Sequence, residues 1–173
     1  MKTVAFAGQY DVQTQILGKY IGSKSNYLDS MSHTMDAGEQ VKILKAKNPY
    51  GLEVNKYQWA SDAQIIFVCV NADNPDFFKH FTDEVNNGRF ATDQKIMLVA
   101  HVAKITEQSQ ASCQEIAADN QAEVILCSIH SSDALFFSPN HASKLPFAAV
   151  FDHVIQNTIQ ASIEPEKRRK MQM

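Results

Sequence analysis

Thr3-Val4-Ala5-Phe6-Ala7-Gly8-Gln9-Tyr10-Asp11-Val12-Gln13-Thr14-Gln15-Ile16 is the stretch whose reading decides the fold. Four apolar residues, Val4 to Ala7, stop at Gly8, and beyond it Val12, Ile16, Leu17 and Tyr20 recur at helical spacing. The pattern predicts a strand, a tight turn and a helix over Val12–Ile21 that ends near Gly22. At such a turn many α/β proteins hold a phosphate, because free backbone N–H groups and the positive end of the helix dipole converge there. The glycine is present and the cation is not.

Outward from that stretch, Ser23–Gly38 is rich in Ser, Asn, Asp and Gly and reads as a long irregular connection, a functional or mobile loop. Gln40–Ala46 alternates imperfectly, and Asn48-Pro49-Tyr50-Gly51 is a strong turn signal before Leu52–Trp59, so a β-hairpin is expected there. The competing reading makes Leu52–Ala63 a crossover helix, because a strand at Val54–Gln58 leaves fewer residues before Ile65 than the dozen or so a parallel crossover needs.

Next come three strands. Ile65–Val70 and Lys95–Ala100 are continuous apolar runs, as expected of parallel strands covered on both faces. After the first, Asn74 and Pro75 open a helix with Phe78, Phe81 and Val85 as its buried stripe, closing at Asn87-Gly88. After the second, Thr106 caps a helix that buries Cys113, Ile116 and Ala117 and ends around Asn120. Glu123–Cys127 reads as the last strand, followed by a loop over Ser128–Ser143 in which Leu135-Phe136-Phe137 forms an apolar plug. From Pro146 a final helix sets Phe147, Val150, Phe151, Val154, Ile155, Thr158 and Ile159 on one face. The reading is thus a single three-layer α/β domain over residues 1–164, with a mostly parallel sheet and helices on both faces, and a solvated basic tail over 165–173. Ligands in such folds sit at the carboxyl ends of the strands, which here are Gly8–Thr14, Asn71–Asp73, His101–Lys104 and Ser128–Asp133.

Bulk properties exclude several classes. The net charge of −3 leaves no basic surplus to follow nucleic acid. The Lys167-Arg168-Arg169-Lys170 cluster lacks a prenylation cysteine, and no apolar run approaches the roughly 20 residues of a membrane span. Cys69, Cys113 and Cys127 lack C-x-x-C spacing, and two of them lie in apolar strands, so reduced buried thiols in a cytoplasmic, intracellular setting are expected. Cys127, His130 and Asp133, with Cys69, His101 and Ser128, project near one sheet edge and could pair a nucleophile with a base. None sits in a nucleophile elbow, and thiols in apolar strands usually just pack. Metal-ligand spacing is missing, so no metal or cofactor is expected. Gly18–Ser25 mimics a phosphate loop in composition only, since its spacing is wrong and it follows a helix.

In layout the chain resembles the Ras-like small GTPases across nearly its whole length. Val4-Ala5-Phe6-Ala7-Gly8 stands at that family's first strand and the first glycine of its phosphate loop, and Ala63–Val70 at its central strand. Leu98-Val99-Ala100-His101-Val102-Ala103-Lys104 occupies the base-recognition strand and loop, Cys127-Ser128-Ile129-His130 the Ser-Ala-Lys loop, and Phe147–Ile159 the last helix. The resemblance implies the fold and places the family's chemistry at residues that cannot perform it. In G-x-x-x-x-G-K-[ST], Gly8 is followed by Gln13, Thr14 and Gln15 where the second glycine, lysine and hydroxyl belong. Asp11 adds a negative charge beside the outer phosphates, and no D-x-x-G follows the third strand. The N-K-x-D guanine reader is replaced by His101 to Lys104, with Ser128 at the neighbouring loop.

The expectation is therefore a GTPase-like domain without hydrolytic activity, leaning away from any enzyme, that meets a protein partner through Ser23–Gly38 or Leu135–Phe137. Two alternatives stay open: a small enzyme or sensor taking another ligand at the same edge, and a weak nucleotide binder working through backbone amides.

Overall fold

The computed structural model describes residues 2–22, 30–35, 37–45, 60–88 and 93–157. In chain order the elements are β1 (Lys2–Gly8), α1 (Tyr10–Ile21), β2 (Ser30–Thr34), β3 (Gln40–Lys45), β4 (Ile65–Asn71), α2 (Phe77–Gly88), β5 (Lys95–His101), α3 (Glu107–Asn120), β6 (Val124–Cys127), β7 (Asp133–Ser138), β8 (His141–Pro146) and α4 (residues 147–157). Among the described residues they form one eight-stranded sheet in the order β2-β3-β1-β4-β5-β6-β7-β8. The block β3-β1-β4-β5-β6 is parallel, while β2, β7 and β8 run antiparallel to their neighbours. The expected three-layer, mostly parallel α/β sheet is the observed one.

Alternation along the strands splits the core in two. Val4, Phe6, Ile65, Phe67 and Val99 face α1 and α4, where Phe6, Tyr20, Phe67, Phe147 and Phe151 make a ring cluster, Phe6 stacking on Phe67 at 4.8 Å between centroids. Ala5, Ala7, Ile66, Val68 and Leu98 face α2 and α3. The small alanines of β1 on that side and the apolar runs of β4 and β5 suit strands covered on both faces. At the start of α3 Thr106 acts as expected, since its Oγ1 accepts from the Ser109 N–H at 3.0 Å and the Ser109 hydroxyl accepts from the Thr106 N–H at 2.8 Å. On α2, Phe77 is the most buried of the aromatic residues, with Phe78 and Phe81 only partly covered, so the inward stripe begins one residue earlier than predicted.

Four expectations are corrected. Part of the supposed irregular connection Ser23–Gly38 is the edge strand β2, paired antiparallel to β3 from Ser30↔Leu44 to Thr34↔Gln40. Both flanks of β3 are thereby filled, by β1 and β2, so its hairpin partner precedes it; Leu52–Trp59 lies outside the described residues. Glu123–Cys127 is not the last strand, because Ser128–Ser143 contains β7 and the start of β8, closed by the two-residue turn Pro139-Asn140. Leu135-Phe136-Phe137 is accordingly a strand segment and not a plug over the core, with Phe136 turned to the α4 side and Phe137 to the α3 side. The tail 165–173, Thr158 and Ile159 fall outside the described residues.

Candidate functional site

The junction of β1 and α1 is built around a close approach. Gly8 has φ +94°, and a Cβ there would lie 2.3 Å from the Cys69 carbonyl oxygen of β4. Only glycine lets the two strands meet at that distance. Gln9 then crosses to β4: its N–H donates to the Cys69 carbonyl at 2.9 Å, and its Oε1 accepts from the Asn71 N–H at 2.6 Å. The helix begins at once with Tyr10, and the Gln13 N–H already donates to the Gln9 carbonyl at 2.9 Å. Asp11, Gln13, Thr14 and Gln15 therefore sit in the first two turns of α1 and not in a loop. Asp11 and Gln15 are exposed, whereas Gln13 is fully buried and, among the described residues, neither its amide atoms nor the buried Thr14 hydroxyl has a hydrogen-bond partner.

At the ends of β5 and β6 the predicted base-reading residues are engaged with each other's loops. His101 accepts the Ile129 N–H on Nε2 at 3.2 Å, which leaves its proton on Nδ1. Burial holds His101 below its ordinary pKa of 6.5; the Asp73 carboxylate opposes this shift and His130 reinforces it. Ser128 Oγ donates to the Ala103 carbonyl at 3.0 Å and accepts from the His130 N–H at 3.2 Å. Asp73 Oδ2 accepts from the Ala103 N–H at 2.9 Å, and the Ala72 N–H donates to the His101 carbonyl at 2.7 Å. The turns after β4, β5 and β6 are thus laced together, with Lys104 exposed at their outer side.

Cys127, His130 and Asp133 are not brought together. Cys127 is fully buried in the α4-side core, His130 is exposed on the turn after β6, and Asp133 lies 3.7 Å from Lys144 across the β7–β8 hairpin. Burial raises all three thiol pKa values, that of Cys113 to about 12, so none is a ready thiolate. Among the described residues Ser128 has backbone partners only, and it is not paired with a side-chain base. Among the described residues no group of three His, Cys, Asp or Glu side chains could hold a metal ion, and no helix is long and apolar enough to cross a membrane.

Several structural contacts carry no local sequence signal. Lys19 Nζ donates to the carbonyls of Ile129 and Ser131, at 2.6 and 2.5 Å, and tethers the β6–β7 turn to α1. That engagement accounts for one lysine of the phosphate-loop mimic Gly18–Ser25. The Tyr20 hydroxyl donates at 2.5 Å to buried Asp152 of α4, and His33 of β2 lies 3.9 Å from the same carboxylate oxygen. Gln9, Lys19 and Asp152 act across separations that no periodicity reports.

No protein-family model and no characterised protein matches this sequence. Among solved structures, the G-domain of FeoB from Methanococcus jannaschii is similar, with a TM-score of 0.58 over 92% of this chain and 99% of that one at 14% sequence identity. This likeness shows a small-GTPase-like α/β fold.

Proposed function

We propose that the chain is a GTPase-like domain without nucleotide hydrolysis that works as a protein-interaction module. The observation that carries this reading is the start of α1 at Tyr10, two residues after Gly8. A phosphate loop presents a run of free backbone amides around the phosphates. Here the equivalent residues are helical, and the amides from Gln13 onward are available only by unwinding the helix. Two further features support the reading: no lysine stands at Thr14, and the loops carrying His101 and Ser128 hydrogen-bond to each other where a base reader offers its groups outward.

The partner surface favoured by the geometry is the edge strand β2. Its sequence Ser-Met-Ser-His-Thr contains neither proline nor lysine, and among the described residues it pairs on one side only. The opposite edge, β8, carries Lys144 and ends at Pro146, which discourage strand addition. An extended partner segment added to β2 gains main-chain hydrogen bonds and reads the outward side chains.

The test is hydrolysis of GTP by the native chain and by the triple variant Gln13→Gly/Thr14→Lys/Gln15→Ser. Neither should exceed buffer, because restoring side chains does not restore the loop. Turnover by the native chain overturns the proposal. Capture of a protein partner that is lost in Ser32→Lys supports the β2 edge, and capture insensitive to that change refutes it.

A further inference from the structure

On the sheet face covered by α2 and α3, a cavity of about 400 Å³ opens between the first turns of those helices, at the carboxyl ends of β4 and β5. Its size falls in the roughly 300–1,000 Å³ of small-molecule sites. The floor is apolar and buried: Phe77, Val102, Cys113 and Leu126. The rim is polar, with Asp73 on the turn after β4 and Lys104 on the turn after β5. These turns are fixed before any ligand arrives, by the Ala72 to His101 and Ala103 to Asp73 hydrogen bonds described above and by the Asp73 N–H donating to Asn71 Oδ1 at 3.0 Å. A preformed site avoids the ordering cost that weakens small-ligand binding.

The chemistry of the rim selects a class of ligand. Thr106 and Ser109 cap each other's backbone amides, so the start of α3 offers less to a phosphate than an uncapped helix does. Asp73 and Lys104, one acidic and one basic residue, both line this small volume, which disfavours a polyanion and suits a molecule carrying both signs. Cys113, held protonated by burial, is a soft apolar contact and not a nucleophile.

We infer that this cavity binds a free amino acid with a large apolar side chain, the side chain on Phe77, Val102, Cys113 and Leu126, the ammonium toward Asp73 and the carboxylate toward Lys104. The reading is independent of the proposed interaction role. It also needs no part of the β1–α1 junction.

Heteronuclear NMR titration of the full chain with L-phenylalanine and L-leucine tests it. The expected result is saturable shifts, in the millimolar range or tighter, centred on the amides of Asp73, Val102, Lys104 and Ser112. Phenethylamine lacks the carboxylate and 3-phenylpropionate lacks the ammonium, and each should bind about tenfold more weakly. Lys104→Gln, at an exposed position, should keep the fold and bind phenylalanine no better than phenethylamine. Asp73→Asn keeps an oxygen for the Ala103 amide and should likewise erase the preference over 3-phenylpropionate. Absence of saturable shifts with both amino acids overturns the inference, as does equal binding of the singly charged analogues or undiminished phenylalanine binding by Lys104→Gln.

Discussion

Gly8→Ala should be among the most damaging single-atom additions in this chain, and the structure says how. At φ +94° an alanine is strained, at a cost of order 1–3 kcal/mol for a residue held in a sparsely populated region. The added Cβ also meets backbone, 2.3 Å from the Cys69 oxygen and 2.7 Å from its nitrogen. Cys69 cannot retreat easily, since β4 is paired on both sides, Gly8↔Cys69 to β1 and Cys69↔Val99 to β5. Relief requires parting β1 from β4, which breaks the Gln9 to Cys69 and Asn71 to Gln9 hydrogen bonds at about 1 kcal/mol each. The sum is about 3–5 kcal/mol, a large part of the roughly 5–15 kcal/mol that holds a typical domain folded. Gly22→Ala is the matched control, with φ +98° and nothing within 4 Å of the new Cβ, so it should show the strain alone. Urea denaturation of the two variants beside the native chain measures both. If Gly8→Ala costs no more than Gly22→Ala, the close approach to β4 is not what demands the glycine.

Other perturbations test separate contacts. Gln13→Met replaces an unpaired buried amide by an apolar side chain of similar shape and should stabilise by about 1–2 kcal/mol in the same urea assay; a loss of 1 kcal/mol or more in that assay would mean that the amide has a partner. Tyr20→Phe removes the hydroxyl donated to buried Asp152 and should cost about 1.5–3 kcal/mol, with a double-mutant cycle against Asp152→Asn showing coupling; additive effects would deny the contact. His101 is held neutral, with its folded pKa below 6.5, so its contribution is fully present above that value and is lost as pH falls below 6.5 toward the folded pKa, where the unfolded chain takes up the proton first. Stability measured between pH 7 and pH 5 should therefore fall less steeply in His101→Gln, and an unchanged slope would refute the assignment.

The central strands were legible because burial on both faces leaves an unmistakable trace, as in Ile65–Val70, and α3 because Thr106 is a side-chain cap read from local sequence. Strand β2 was not, since Ser30–Thr34 has one strand neighbour among the described residues and a mostly polar sequence. The β7–β8 hairpin was hidden by its own surroundings: Ser131, Ser132, Asp133 and Pro139 suggest a loop, and His141–Pro146 is mostly exposed, with a sequence, His-Ala-Ser-Lys-Leu-Pro, that does not alternate apolar with polar residues. The carboxyl-edge rule points to Gly8, His101 and Ser128 as the candidate site. Its internal wiring was not legible, because Gln9 meets Asn71 and Ser128 meets Ala103 only after the sheet has formed. Helical periodicity from Val12 already places Gln13, Thr14 and Gln15 in a helix, but no sequence pattern reveals that α1 starts two residues earlier, at Tyr10.

The central claim is that this small-GTPase-like fold has a helix where a phosphate loop would be. Isothermal titration of the native chain with GTP, GDP and ATP in the presence of magnesium tests it most directly. No binding at micromolar affinity is predicted for any of the three, and micromolar binding of any one of them contradicts the account.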